Sequence, residues 1–243
     1  MKHIINYISS VDSTINIPRR EVKIIMNDFV KCIDLTKRFH VGKTSRLVLD
    51  KVNLDVRKGD KVGILGRNGA GKSTLIKLIG GVEQPTSGKI HRGMTVSWPL
   101  AFSGAFQGSL SGHDNLRFIC RVYDLDYKET LEYVEGFAQL GKQFYDPVKT
   151  YSSGMHARLA FALSLAIEFD CYLIDEVIMV GDARFAQKCE DELFTKRADR
   201  TLLIVSHSTD FIKSTCNRSV LIYDRKIHSC SSVEEGIEKY HLL

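Results

Sequence analysis

The sequence lacks most of the features that mark an exported, membrane-embedded or nucleic-acid-bound chain. No charge-free stretch approaches the ~18 apolar residues of a spanning helix. The start is apolar at Ile4, Ile5, Tyr7 and Ile8. It lacks an apolar run closed by a small-residue cleavage site, so no export signal is expected. None of Cys32, Cys120, Cys171, Cys189, Cys216 and Cys230 forms a C-x-x-C pair. Free buried thiols in a reducing compartment are expected instead. No clustered His/Cys spacing points to zinc. Dense Lys/Arg runs are missing too, and the net charge is only +5 from 34 basic and 29 acidic residues. That balance argues against nucleic acid as a partner. There is no internal repeat. The remaining class is a soluble chain of 243 residues, 44% hydrophobic, with one large or two small cores.

Residues 1–25 are mixed in character and end near Pro18-Arg19-Arg20. They are expected to be an N-terminal extension to a domain spanning 26–243. A short strand is expected near Val30–Ile33. Another should run from Leu47 to Val56, where Val52, Leu54 and Val56 alternate with polar residues. Leu116, Ile119, Cys120 and Tyr123, then Leu131, Val134 and Phe137, recur at helical spacing. They predict a helical insert over about 111–165. Short apolar runs at Cys171–Ile174, Leu202–Val205 and Val220–Tyr223 read as strands, and 232–240 as a closing helix.

Chemistry concentrates at Gly66-Arg67-Asn68-Gly69-Ala70-Gly71-Lys72-Ser73-Thr74. An apolar run precedes it and a helical pattern follows, and the spacing is G-x-x-x-x-G-K-[ST], a P-loop. Gly66, Gly69 and Gly71 let the backbone, with Asn68, wrap an anion. The N-terminus of the following helix, where Thr74 lies, adds its positive dipole end, Lys72 supplies a mobile charge for the β/γ-phosphates, and Ser73 a hydroxyl for Mg²⁺. Two of the later strands end in Asp175-Glu176 and Ser206-His207. In an open α/β sheet, ligands bind at the carboxyl ends of strands, so these groups should converge on one nucleotide. Asp175 suits a Mg²⁺ ligand and Glu176 a base that orients water.

With these residues in order, the sequence resembles the nucleotide-binding subunit of ATP-binding-cassette (ABC) transporters over roughly residues 27–230. Tyr151-Ser152-Ser153-Gly154-Met155 stands at the family's signature motif, with Arg158 and Ala160 on the helix that follows. Asp182, after Met179-Val180-Gly181, matches the D-loop aspartate, and His207 the switch histidine. The resemblance implies an α/β P-loop NTPase fold: a mixed sheet core, a small antiparallel β subdomain and an inserted α-helical subdomain. It implies ATP and Mg as cofactors, with Glu176 and His207 catalytic. It also implies a head-to-tail homodimer in which Ser152, Ser153, Gly154 and Asp182 of one copy close on ATP held by the other. Phe39, just after the first strand, would stack on adenine, with a core side chain as the alternative. The Q-loop glutamine would fall near Phe102. Either that loop is remodelled or Gln107 reaches back.

The form Y-S-S-G-M, the runs Ser97–Leu100 and Gly104–Leu110, and Val180–Phe185 look like the subfamily that exports capsular polysaccharide in Gram-negative bacteria. That likeness implies an ATPase on the cytoplasmic face of the inner membrane, paired with a polytopic permease. It implies a lipid-linked acidic cargo and handover to periplasmic and outer-membrane export proteins. An O-antigen or teichoic-acid exporter subunit is the nearest alternative. The short tail after His207 is expected to leave no room for the carbohydrate-binding domain that some of those carry. A non-transport cassette ATPase would need coiled coils or a second cassette, and neither is seen. Glu176 and His207 together argue against a regulator without turnover.

Overall fold

The structure, a computed structural model, describes residues 28–42, 44–100, 102, 104, 106–176 and 182–243. The expected extension over 1–25 and its boundary at Met26 lie outside the described residues. The chain divides into two compact units. The first comprises residues to Trp98, Asp170–Asp175 and Arg200–Leu243; the second comprises Pro99–Phe169 and Glu176–Asp199.

Two sheets build the first unit. Strands β1 (Phe29–Val41), β2 (Thr44–Arg57) and β4 (Ser87–Arg92) form an antiparallel sheet in the order β2-β1-β4. A six-stranded sheet runs β5-β6-β7-β3-β8-β9, from β3 (Lys61–Leu65), β5 (Val96–Pro99), β6 (Cys171–Asp175), β7 (Thr201–Val205), β8 (Arg218–Tyr223) and β9 (Lys226–Ser229). Its inner members β6, β7, β3 and β8 are parallel, and β9 is antiparallel to β8. Parallel strands are covered on both faces, so they read as unbroken apolar runs, and β7 is buried at every position. Helix α1 (Lys72–Ile79) follows β3 and buries Leu75, Ile76, Leu78 and Ile79. These join Leu35, Leu49 and Val56 of the antiparallel sheet and Ile64, Leu173 and Val205 of the other in one core cluster.

The first strand is longer than the sequence suggests. Asp34 has φ 46°, and the register shifts between Cys32 and Leu35, between Leu35 and Lys37, and between Lys37 and Arg38. Bulges absorb these polar residues while pairing with β2 continues. Asn53 clips the bulge in place, accepting from the Asp34 N–H at 3.0 Å and donating to its carboxylate at 3.1 Å. At the far edge of the first unit, Asp224 and Arg225 both take positive φ in the β8–β9 hairpin, the geometry that suits the twist of paired strands.

The second unit is largely helical: α2 (Gly112–Tyr123), α3 (Tyr127–Ala138), α4 (Ser153–Ala166) and α5 (Ala183–Glu190). Asp126 caps α3 by accepting from the Glu129 N–H, and Phe137 stacks on Phe161 and meets Phe185 edge-on. A single π-helical turn (Asp191–Thr195) follows α5 and buries Glu192, whose carboxylate holds Lys196 and Arg197. Burial opposes the charge on Glu192, but hydrogen bonds and attraction from Lys196 and Arg197 outweigh it and keep its pKa below the usual value. Its contribution to stability is therefore present above the unfolded-state pKa and is lost as pH falls through the lowered folded value. Glu192→Ala removes the carboxylate that Lys196 and Arg197 both contact, beside an Arg197 side chain only 11% exposed. We expect a loss of about 3 kcal/mol in urea unfolding at neutral pH, shrinking as the medium is acidified.

All six cysteines are free thiols. Burial pushes Cys32, Cys189 and Cys216 up to about 12 and raises Cys171 further, so these sulfurs stay protonated near neutral pH.

Candidate nucleotide site

Strand β3 delivers the chain into the P-loop. Gly66, Gly69 and Gly71 adopt φ of 153°, 78° and 109°. At Gly66 a side chain would begin 2.7 Å from the Ile222 carbonyl, and at Gly71 3.0 Å from Val48. Both positions therefore need glycine for conformation and for space. No side chain caps α1, so its first-turn amides are directed to whatever anion the loop wraps. Lys72 is 7% exposed and lies across the loop, its ammonium donating to the Gly66 carbonyl at 2.7 Å and to that of Arg67 at 3.2 Å. Asn68 is exposed in the turn and Thr74 half-buried in the first turn of α1.

The parallel register brings the strand ends together. Asp175 ends β6 opposite Val205, and Val205 in turn pairs with Ile64 on β3. Ser73 Oγ donates to Asp175 Oδ1 at 3.0 Å, closing a gap of 102 residues in the sequence. Hydroxyl and carboxylate oxygens form a hard donor set of the kind Mg²⁺ takes. The next residue, Glu176, has φ 58°. A glutamate in the left-handed region is strained, and such strain gathers at functional sites. His207, two residues past β7, is exposed, with Nδ1 3.4 Å from the Tyr240 hydroxyl.

The signature residues lie in the second unit. Ser152 caps α4, its hydroxyl accepting from the Met155 N–H at 3.3 Å, while Ser153 and Gly154 occupy the first turn. A side chain at Gly154 would meet nothing within 4 Å. Asp182 caps α5, accepting from the Phe185 N–H at 3.0 Å, and forms an ion pair with Arg158 of α4. The Phe185 amide and the Arg158 charge hold its carboxyl below the usual range. Met179, Val180 and Gly181 lie outside the described residues, as does Ala105.

Phe39 and Gln107 both have partners within the chain. Phe39 sits inside β1 rather than after it, because the bulged strand continues to Val41. It pairs with Arg46, and the Lys37 ammonium lies 4.7 Å from its ring centroid. The backbone N–H of Gln107 is tied to Asn115 Oδ1 at 3.0 Å, and its side-chain amide donates to Ser109 at 3.1 Å. Sequence reasoning did not single out Tyr240, nor Arg67 as more than a loop residue. Neither carries a local signal, since each acts through a contact with a distant segment.

The family model described as ABC transporter matches residues 49–179. The chain belongs to the ABC transporter ATP-binding family. As an ABC ATPase, it is 56% identical over 209 residues to the capsule polysaccharide export ATP-binding protein CtrD of Neisseria meningitidis serogroup B, covering 86% of this chain and 97% of that one. It is 43% identical to the polysialic acid transport ATP-binding protein KpsT of Escherichia coli, covering 88% and 96%. The ABC fold is matched by the dimeric ATP-binding cassette MJ0796 bound to ADP and Pi, with a TM-score of 0.67 at 20% identity, covering 84% of this chain and 98% of that one. An ABC ATPase binds and hydrolyses ATP, and the glycine cradle with Lys72 and the Ser73–Asp175 pair suit a Mg²⁺-bound triphosphate.

Proposed function

We propose that this chain is the ATP-hydrolysing subunit of an exporter that moves lipid-linked, acidic capsular polysaccharide across the inner membrane. The observation that carries the reading is the identity with CtrD over nearly its whole length. The polysialic acid relative supports an acidic cargo. Among the described residues no helix is long and apolar enough to cross a membrane. A polytopic permease would provide the path for the polymer. The chain would work on the cytoplasmic face of that permease, as a homodimer that hands its cargo to periplasmic and outer-membrane export proteins.

In this reading the P-loop amides and Lys72 bind the β- and γ-phosphates, and Phe39 packs on adenine. Ser73 and Asp175 would hold Mg²⁺, which would supply charge neutralisation at the phosphates. Glu176 orients and deprotonates the attacking water, and His207 donates to the γ-phosphate. Ser152, Ser153 and Gly154 of a second copy add another helix N-terminus against the same phosphate, with Asp182 beside them. Loss of the γ-phosphate removes that bridge and lets the two copies part.

Deleting the chain's gene in the organism that carries it, followed by complementation, tests the reading. Surface capsule should disappear while lipid-linked polymer accumulates inside, and the wild-type chain but not Lys72→Ala should restore export. Loss of O-antigen or teichoic acid in place of capsule would favour the alternative cargo. Unchanged surface polymers would overturn the assignment.

A further inference from the structure

We propose that Tyr240 is a positioning residue that holds the His207 ring in one tautomer. Its effect on turnover rests on the reading that His207 meets the γ-phosphate. Helix α6 (Thr209–Thr215) follows His207, and helix α7 (Val233–His241) closes the described chain. Tyr240 stands in the last turn of α7 and brings its hydroxyl to His207 Nδ1 at 3.4 Å. Active-site hydrogen bonds are often this long without substrate and shorten when it binds.

The helix is held firmly enough to fix that hydroxyl. Ser232 caps it by accepting from the Glu235 N–H at 3.1 Å. Ser219 on β8 donates to the Ser232 carbonyl at 3.0 Å. A side chain at Gly236 would begin 2.2 Å from the Ser219 hydroxyl, so α7 packs closely on β8 there. Glu235 and Lys239 pair at 2.6 Å along its surface. Just past the helix, the Leu243 carbonyl accepts from Arg67 of the P-loop at 3.0 Å. One short segment thus touches both the loop that wraps the phosphates and the histidine that senses them.

The chemistry selects the tautomer. A γ-phosphate presents only acceptor oxygens to a neutral ring, so the nitrogen facing it must carry a proton. If that nitrogen is Nε2, then Nδ1 is an acceptor, and a phenol is a suitable donor to it. Tyr240 therefore favours the Nε2–H form and fixes the ring's rotation.

The test uses the full chain with Mg·ATP as the probe. Tyr240→Phe keeps the ring and its packing but removes the hydroxyl. We expect kcat to fall about 10-fold with KM unchanged. In a His207→Ala background the same change should cost nothing further. Nitrogen-15 spectra of the histidine side chains should show Nε2–H for His207 in the wild type and a shift toward Nδ1–H in Tyr240→Phe. An unchanged tautomer, or an equal rate loss with His207 absent, would overturn the proposal. Full turnover in His207→Ala with the tautomer shift intact would remove the γ-phosphate reading and leave the Tyr240 contact standing.

Discussion

Glu176→Gln should lower ATP turnover about 10²–10⁴-fold while leaving Mg·ATP binding intact. The amide keeps the shape and the hydrogen bonds of the carboxylate but cannot accept the proton of the attacking water. Lys72, Ser73 and Asp175, which would hold the phosphates and the metal on the proposed reading, are untouched. The variant should therefore collect as an ATP-held dimer and stop export. Asp175→Asn should behave differently. It removes the charge that Ser73 already contacts, so Mg²⁺-dependent affinity should fall along with rate. ATPase rate, Mg·ATP affinity and ATP-dependent dimerisation, measured side by side on the two variants, separate these roles. Near-normal turnover in Glu176→Gln would sink the base assignment.

Gly154→Asp should lower turnover by about 100-fold without changing ATP affinity in the monomer. The substitution has room, since a side chain at 154 meets nothing within 4 Å in its own chain. An aspartate in the first turn of α4 also suits that helix. Damage within the monomer is therefore not expected. What changes is the charge offered to an anion: a carboxylate would stand where a second copy presents its γ-phosphate. Comparing nucleotide binding by the separated subunit with turnover of the assembled transporter checks this. If both fell together, the signature would be a structural element of one chain, and the two-copy site would be wrong.

The nucleotide-binding core was legible because each part has a local signature. The P-loop has its spacing, and the parallel strands are short apolar runs ending in Asp175 and near His207. The antiparallel sheet was only half visible: the bulges at Asp34 and Lys37 make the middle of β1 read as a strand end. Strand β5 was missed because four residues ending in proline carry too little pattern, although Ser97 is fully buried and accepts from the Leu173 N–H. Helix α5 went unread although Asp182 is an N-cap of a kind sequence can show. Family position gave Asp182 a role, but its pairing with Arg158 is tertiary and leaves no trace in spacing. The same holds for Tyr240.

The Ser73–Asp175 contact also sets a timetable for synthesis. Strands β3, β6 and β7 come from residues 61–65, 171–175 and 201–205, yet they lie in the order β6-β7-β3 in the parallel part of one sheet. A nascent chain that has released only its P-loop has neither Asp175 nor the strand that positions it. Long-range parallel pairing is slow, and unpaired strand edges invite aggregation until it is complete. Nucleotide held through both Ser73 and Asp175 therefore comes late in synthesis. Until β7 has left the ribosome, β3 and β6 lack the strand that lies between them, so nucleotide held through both groups acts as a late lock on a core already closed.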